Sequence, residues 1–439
     1  MGNGNRNFKA LFFISLAANL MFAIAVLIQF VIGNATHWKE DEFAQHPPGR
    51  WRVIPPGRHI GMLTAEQEKA ISKLESIGYL SGYEAAPGRK SVTVYDRELA
   101  YRAPNLLVSG HAPEATLIDM EGRELHRWQY ECERVWPDYE PPAGSDRHES
   151  WRRAHLFENG DLLAVFEGIG LIKLDKDSNL IWDYPGKTHH DLFVTKDGLI
   201  YVLTRKAHIH PEYHKEKPVL EDFITVLDAD GQEIKRVSIL KSLRDSHYAA
   251  ILKNMKRAGD ILHTNTIELL DHRLAGRCRA FREGNVLISI RQLDTICVVD
   301  LEAESVVWAL SGQWSRQHQP TVLDNGHMLI FDNQRTDGRS AVLEFDPFTR
   351  EIIWEYPGDC EAPLFTMDCG SSERLPNGNT LISESNRGRA IEVTPDKQIV
   401  WEFINPHRAG ENNELIATLY EVVRLDPRFP LDWVETNQN

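Results

Sequence analysis

Short apolar runs recur along the chain, each following a turn rich in Asn, Asp and Gly. The run after Gly284-Asn285 reads VLISIR, and similar runs follow four other turns. Runs of this length that are rich in Val, Ile and Leu are typical of antiparallel strands joined by hairpins. The five turns are Asn159-Gly160, Asp197-Gly198, Gly284-Asn285, Asn325-Gly326 and Asn377-Gly378.

A second hairpin follows each of these runs and completes a unit of four strands. An Asp usually lies near the end of its first strand and a Trp in the next strand, as with Asp300 and Trp308. Four-stranded units that repeat about every 40–50 residues are typical of a β-propeller. The repeat therefore predicts blades that bury their faces against their neighbours.

Six such units can be placed if one of them is assembled from both ends of the chain. Asn105–Gly110 and Ala115–Tyr130 supply its second to fourth strands, and Leu419–Asp426 is expected to supply its first. A ring closed in this way leaves no free edge strand. The sequence therefore predicts an all-β fold, a six-bladed β-propeller over residues 101–439 that is closed by pairing of its N- and C-terminal strands.

The segment Ala10–Ile32 contains no charged residue and is long enough, as a helix, to cross a hydrocarbon core of about 30 Å. We interpret it as an uncleaved transmembrane anchor, with a cleaved signal peptide as the alternative. Arg6 and Lys9 precede it and acidic residues follow it. The positive-inside rule then places residues 1–9 in the cytoplasm and the propeller in the periplasm or another extracytoplasmic space.

Residues 33–100 are predicted to be a linker rich in Pro and Arg. Within it, Thr64–Ile77 has the pattern of a short amphipathic helix, which either packs on the propeller or makes a homodimer contact. The five cysteines are an odd number, so at least one is unpaired within the chain. Cys360 and Cys369 flank a loop between blades and could form a disulfide bond or remain separate thiols.

The net charge of −15 and the lack of a basic block argue against nucleic acid as a partner. Local positive charge nevertheless collects at one rim of the predicted channel, where the first strand of a blade starts and the second ends. Counting from the turns places three histidines, two arginines and an asparagine there. They are His190, His263, His318, Arg205, Arg291 and Asn333.

Imidazole and guanidinium groups that converge at one rim predict an anion pocket, because Arg matches the planar face of sulfate, phosphate or carboxylate. The alternative is that these side chains only bond loop carbonyls. His189 is expected to point elsewhere than His190 by strand alternation, although it could be the functional member of the pair. The spacing of His208, His210 and His214 could suit a metal ion, but no Cys or Asp completes a site, and no metal is predicted.

Four segments resemble those of the bacterial arylsulfotransferases, six-bladed propellers that move a sulfuryl group between phenols. The resemblance covers about residues 105–433, and its segments are fairly specific together but not singly. The segments are His189-His190-Asp191, Asp260–Ile267, Ile288–Gln292, and Gln317-His318 followed by Phe331-Asp332-Asn333.

Position alone makes His318 and His190 equivalent. The resemblance of the Gln317-His318 segment implies that His318 is the covalent sulfuryl acceptor. It also implies a set of side chains around the sulfuryl oxygens, namely His190, His263, Asn265 and Arg291. Asn333 and Arg205 join this set as substrate-binding candidates from their places at the rim. No metal, nucleotide or other cofactor is implied.

The sequence therefore predicts a membrane-tethered aryl sulfotransferase. It would move a sulfuryl group from a phenolic sulfate ester to a phenolic acceptor in two steps, through a sulfohistidine and without a nucleotide sulfate donor (PAPS). The alternative is a propeller without catalysis that binds an anionic or sulfated ligand. Covalent transfer requires His318, whereas binding alone would tolerate its replacement.

Overall fold

The computed structural model describes residues 51–53, 88–140, 148–208, 210–214, 218–335, 337–359 and 362–434. These residues form six antiparallel sheets of four or five core strands and one three-stranded sheet. Each of the six sheets is one blade, so the predicted all-β, six-bladed propeller is confirmed. We number the blades 1 to 6 from residue 153 onward.

Blades 1 to 3 are each built from consecutive strands. Blade 1 contains Arg153–Leu156, Leu162–Phe166, Gly170–Leu174 and Leu180–Tyr184. Blade 2 contains Thr188–Val194, Ile200–His208, Val219–Leu227 and Glu233–Ser238, with Gly259–Asp260 pairing in parallel to its third strand. Blade 3 contains Thr264–Leu269, Val286–Ile290, Thr295–Asp300 and Ser305–Ser311.

The remaining blades bring the chain back to its starting side. Blade 4 contains His318–Val322, Met328–Asp332, Ala341–Phe345 and Ile352–Tyr356. Blade 5 contains Ser371–Arg374, Thr380–Glu384, Arg389–Val393 and Ile399–Ile404. Blade 6 contains Leu419–Arg424, Asn105–Ser109, Glu114–Ile118 and Glu124–Gln129.

Blade 6 closes the ring as the sequence predicts. Its first strand comes from the C-terminal part of the chain and pairs antiparallel with a strand from the N-terminal part, with Leu419 opposite Ser109 and Arg424 opposite Asn105. Both strands are almost wholly buried. The ring is therefore held shut by backbone hydrogen bonds between segments that lie more than three hundred residues apart.

The structure also places strands in the segment that the sequence analysis assigns to the linker. Ser91–Tyr95 pairs with the fourth strand of blade 5 and makes that sheet five-stranded. Trp51–Val53 pairs with Leu415–Ala417, which also pairs with Arg408–Ala409, and the three strands form the small additional sheet. The chain before residue 101 thus takes part in the sheets around the point of closure.

Helices are few and short in the part of the chain that the structure describes. Two α-helices span Cys132–Val135 and Ile239–Arg244. Four 3-10 helices span Ala249–Asn254, Arg279–Phe281, Arg291–Leu293 and Ser385–Arg387. None of the described helices is long and apolar enough to span a membrane. The predicted anchor Ala10–Ile32 and the predicted helix Thr64–Ile77 lie outside the described residues.

The repeated tryptophans join neighbouring blades. In four blades the indole N–H of a fourth-strand Trp donates to a backbone carbonyl in a turn of the next blade. The pairs are Trp128 with Gly160 at 3.0 Å, Trp182 with Ala229 at 3.1 Å, Trp354 with Pro395 at 2.8 Å and Trp401 with Met120 at 3.0 Å. The repeated aspartates have a local role, as when Asp175 accepts from the backbone N–H of Asn179 at 2.8 Å within a turn. The recurring Trp and Asp residues therefore have structural roles in joining the blades and shaping their turns.

A buried ion pair supports the closure of the ring. Arg424, at the end of the closing strand, lies 2.8 Å from the carboxylate of Glu392 in blade 5, and both side chains are fully buried. Its Nε also donates to Oδ1 of Asn105 at 2.6 Å, and its guanidinium stacks on the ring of Trp401 at 4.9 Å. One side chain therefore joins both strands of the closure to the neighbouring blade.

Replacing Arg424 by Met should destabilise the protein by about 3–5 kcal/mol, because the buried carboxylate of Glu392 then loses its cation. Urea unfolding of the purified protein measures this change. Arg428→Met is the matched control, since Arg428 pairs with Asp426 on the surface of the same segment and its loss should have little effect. Equal unfolding midpoints for the two variants would show that this ion pair does not support closure.

Candidate functional site

The first strands of four blades contain β-bulges near their starting ends. The pairing shifts between Thr188 and Leu192, Thr264 and Thr266, His318 and Thr321, and Leu419 and Glu421. A bulge interrupts the alternation of side chains and turns polar groups that would otherwise face a neighbouring sheet. These four bulges lie at the rim where the sequence predicts the anion pocket.

Three residues at these strand starts have left-handed backbone conformations. The φ angles are +54° at His190, +53° at His263 and +45° at Gln319. Non-glycine residues adopt such angles at a cost of about 1–3 kcal/mol each, which the surrounding structure must supply. The surrounding structure thus holds these three residues in backbone conformations that are unfavourable on their own.

A small cavity of about 20 Å³, partly open to solvent, lies where these strands meet. Its lining includes three of the predicted site residues, His190, Asn265 and His318. The other lining residues are Arg152, Arg153, Asp191, Thr266, Gln319, Gly370, Ser371 and Tyr420. Blades 1 to 6 all contribute to a lining that is predominantly polar, as an anion-binding cavity requires.

The tautomer of His318 is set by Asn333, which lies directly behind it. The amide nitrogen of Asn333 donates to the backbone carbonyls of Thr366 at 3.0 Å and Cys369 at 2.7 Å. Its Oδ1 must therefore face His318, whose Nδ1 is 2.7 Å away. An amide oxygen only accepts, so Nδ1 of His318 carries the proton and Nε2 keeps its lone pair.

Burial keeps this imidazole neutral. His318 is 4% exposed. Burial lowers the pKa of His318 to about 3, and the positive charges of Arg291 and Arg152 act in the same direction, against the hydrogen bond to Asn333. The side chain is therefore a neutral imidazole at neutral pH.

Two more histidines lie together beside the cavity. The rings of His190 and His263 are 4.7 Å apart and meet edge to face. Nδ1 of His263 pairs with the carboxylate of Asp260, and its side chain is 26% exposed. Burial lowers the pKa of His190 well below its usual value. His263 is thus the more accessible of the two, with a carboxylate that orients its ring.

The arginines of the cavity are Arg152 and Arg153, which the sequence analysis did not select. Nε of Arg153 lies 2.8 Å from Asp191, and its guanidinium also pairs with Glu421. Arg152 lies 3.5 Å from Glu167 and stacks on the ring of Tyr420 at 4.9 Å. The count from the turns that selects His190 and His318 also selects Arg152, seven residues before Asn159 in the sequence.

Comparison with protein families identifies the family of the chain. Residues 153–406, more than half of the chain, match the family described as arylsulfotransferase (ASST). The chain belongs to the arylsulfotransferase family. Membership supports an aryl sulfotransferase activity in general, and the resemblance of the four segments is thereby confirmed at the level of the family. No curated protein matches the chain.

The solved structures that resemble this chain do so only distantly. A protein of unknown function from Bacteroides caccae gives a TM-score of 0.44 and 10% identity over 73% of this chain and 98% of its own. Virginiamycin B lyase from Staphylococcus aureus gives 0.36 and 11% over 58% and 69%. The Cps50 (Swd1) β-propeller domain of Myceliophteria thermophila gives 0.42 and 9% over 78% and 99%. These similarities are too weak to bear on function.

Four of the predicted site residues do not line the cavity: the predicted catalytic residues Arg291 and His263, and the predicted substrate-binding residues Arg205 and Asn333. Arg291 is paired with Asp368 at 2.9 Å, with 13% of its side chain exposed. Arg205 lies in the second strand of blade 2, opposite Asp222 in the third. Asn333 is fully buried and uses both ends of its amide on protein partners. Direct contact of Arg291, Arg205 and Asn333 with a bound anion stays a prediction.

Cys369 is a free, buried thiol next to this site, and Cys360 lies outside the described residues. The three other cysteines within the described ranges, Cys132, Cys278 and Cys297, are also free. The backbone carbonyl of Cys369 accepts from Asn333, so this residue contributes through its main chain. The predicted pairing of Cys360 with Cys369 stays a prediction.

The low pKa of His318 predicts a pH-dependent contribution to stability. A histidine with a pKa of about 3 when folded and about 6.5 when unfolded lowers stability as pH falls below about 6.5, because only the unfolded state then binds the proton. His318→Asn removes this effect. Its free energy of unfolding relative to wild type should rise by roughly 1–2 kcal/mol between about pH 6.5 and about pH 5.

Urea unfolding at several pH values measures this difference. His247→Asn, at an exposed position, is the control and should follow wild type throughout. A difference between His318→Asn and wild type that stays constant with pH would mean that His318 is not held neutral by burial.

Proposed function

We propose that this chain transfers a sulfuryl group from a phenolic sulfate ester to a phenolic acceptor through a sulfated His318. The observation that carries the proposal is the pairing of His318 with Asn333, which leaves an unprotonated Nε2 beside an arginine-lined cavity. A neutral imidazole nitrogen is a nucleophile that can attack sulfur and expel a phenolate. The reaction is thereby divided into two easier steps.

In the first step, the lone pair on Nε2 of His318 forms a bond to sulfur while the bond from sulfur to the phenolic oxygen breaks. The ring becomes positively charged as it gains the sulfuryl group. The proton on Nδ1 stays in place and donates to Oδ1 of Asn333, 2.7 Å away. Asn333 is therefore a positioning residue that also stabilises the charge developing on the imidazole.

The sulfuryl oxygens remain negatively charged throughout the reaction and need a cation. Arg152 suits this role, because it lines the cavity, and its positive charge, with that of Arg291, is among the causes that lower the pKa of His318. Arg153 is paired with both Asp191 and Glu421. We assign Arg153 to positioning the cavity wall and Arg152 to the bound oxyanion.

The leaving phenolate needs a proton, and the acceptor phenol must later lose one. His263 can serve both steps, because Asp260 holds its Nδ1. As an imidazolium it gives the proton on Nε2 to the leaving phenolate and becomes neutral, and in the second step the free Nε2 takes the proton of the acceptor phenol. In the second step, the acceptor oxygen attacks sulfur and the bond to Nε2 of His318 breaks. His318 returns to its neutral form, and no nucleotide sulfate donor takes part.

The direct test is the reaction of the purified protein with 4-nitrophenyl sulfate in the absence of an acceptor. We expect a burst of nitrophenol up to one per chain and a sulfated peptide that contains His318, stable in alkali and labile in acid. Added phenol should then accept the sulfuryl group from the isolated adduct. His318→Asn should abolish burst and adduct, because an amide cannot act as the nucleophile.

The matched control is His327→Asn, at the other end of the same blade-4 hairpin, where His327 pairs with Glu344 at 2.8 Å. This variant should give a full burst. Normal turnover by His318→Asn, or an adduct on His190 or His263, would contradict the proposed nucleophile. Binding of the ester by wild-type protein with no release of nitrophenol would show instead a propeller that only binds sulfated ligands.

A further inference from the structure

Two arginines of the cavity wall are each paired with a carboxylate. Nε of Arg153 lies 2.8 Å from Oδ1 of Asp191, and its guanidinium also contacts Glu421. One of these two carboxylates is enough to balance the charge of Arg153. Nε of Arg152 lies 3.5 Å from Oε2 of Glu167. The positive charge on the cavity wall is therefore balanced by negative charge close to it.

A third pair, Arg291 with Asp368, lies beside the cavity. Nη2 of Arg291 is 2.9 Å from Oδ1 of Asp368, and the two side chains are 13% and 23% exposed. The positive charge of Arg291 is among the causes of the low pKa of His318, so this pair lies close to that ring. Asp368 also precedes the lining residue Gly370 by two positions. Its negative charge is therefore near an anion bound beside His318.

The backbone of Asp368 is held by residues other than Arg291. Oδ1 of Asn386 accepts from the backbone N–H groups of Met367 at 2.6 Å and of Asp368 at 3.2 Å. The hydroxyl of Thr366 donates to the backbone carbonyl of Asp368 at 2.7 Å. These three bonds do not use the carboxylate of Asp368. Asp368→Asn should therefore remove the charge and preserve the loop.

Sulfate and phosphate monoesters differ little in shape but clearly in charge. Each presents three terminal oxygens on a tetrahedral centre. A sulfate monoester carries one negative charge, whereas a phosphate monoester carries about 1.5 to 2 negative charges at about pH 7. A cavity cannot separate the two by size, but a nearby fixed charge acts about twice as strongly on the dianion.

We propose, on the basis of the function proposed above, that the paired carboxylates make the cavity selective for singly charged sulfate esters over doubly charged phosphate esters. The guanidinium N–H groups bind the oxyanion, and the carboxylates prevent an excess of positive charge that would favour a dianion. Asp368 is the specificity-determining residue that can be changed with least disturbance, because it is more exposed than the other three carboxylates.

Calorimetric titration of the purified full-length protein with 4-nitrophenyl sulfate and 4-nitrophenyl phosphate, at about pH 8, tests this selectivity. His318→Asn is the background for every variant, because it removes the nucleophile and leaves the ester intact. In this background we expect the sulfate ester to bind more tightly than the phosphate ester. Adding Asp368→Asn should strengthen binding of the sulfate ester about tenfold and of the phosphate ester about a hundredfold, since the removed charge acts twice on the dianion.

Asp346→Asn in the same background is the matched control. Asp346 pairs with Arg277 at 2.7 Å in the turn after the third strand of blade 4, and its replacement should leave both affinities unchanged. Weaker binding of both esters after Asp368→Asn would mean that Asp368 only positions Arg291. That result, an equal gain for both esters, an initial preference for the phosphate ester, or binding of neither ester would overturn the proposal.

The selectivity and the transfer reaction can fail separately. Selective binding of the sulfate ester with no burst in the wild-type protein would contradict transfer through His318 but not the role of Asp368. A normal burst in the wild-type protein, together with a selectivity that Asp368→Asn does not change, would contradict the role of Asp368 alone.

Discussion

The hydrogen bond between Asn333 and His318 is the interaction on which the reactive site depends. In the reaction proposed above, a cavity that attracts sulfate esters carries positive charge, whereas the nucleophile inside it is an uncharged base. The structure satisfies both needs by fixing the proton of His318 on Nδ1, burying the ring and leaving the charge to arginines nearby. Replacing the amide by a carboxylate would favour an imidazolium and remove the nucleophile.

Asn333 can fix the tautomer of His318 only because neighbouring parts of the propeller fix the orientation of its amide. Its amide nitrogen is fixed by two backbone carbonyls of the loop that leads into blade 5, and its own position follows the second strand of blade 4. Other blades contribute the remaining side chains of the cavity, from strand starts that contain bulges and residues with left-handed backbone conformations. The ring must therefore be closed for the site to exist, which connects the buried pair of Arg424 and Glu392 to function.

Most of the fold could be predicted from the sequence because a propeller repeats. Turn residues and alternating runs recur in every blade, so even the strand Leu419–Arg424 could be matched to its distant partner. The strand Ser91–Tyr95 could not be placed in this way, because its partner is over three hundred residues away and no adjacent hairpin marks it. Its alternating residues alone do not distinguish an added edge strand from an extended linker.

The site was predicted in position but only partly in geometry. Counting from the turns selects the rim, and it would have selected Arg152 had arginine been sought there as histidine was. The direction of each side chain could not be read, since the bulges insert different numbers of residues in different blades. The contacts of Asn333 with His318 and of Arg291 with Asp368 could therefore not be predicted from the sequence.

The most direct test of the proposed mechanism is to determine which ring nitrogen of His318 carries the proton in the resting protein. Long-range proton–nitrogen correlation spectra of protein labelled with nitrogen-15 in histidine report it, and the spectrum of His318→Asn identifies the signal. The account predicts a neutral ring protonated at Nδ1 between about pH 8 and about pH 5, as expected for a buried imidazole with a strongly lowered pKa. A ring protonated at Nε2, or an imidazolium at neutral pH, would contradict it.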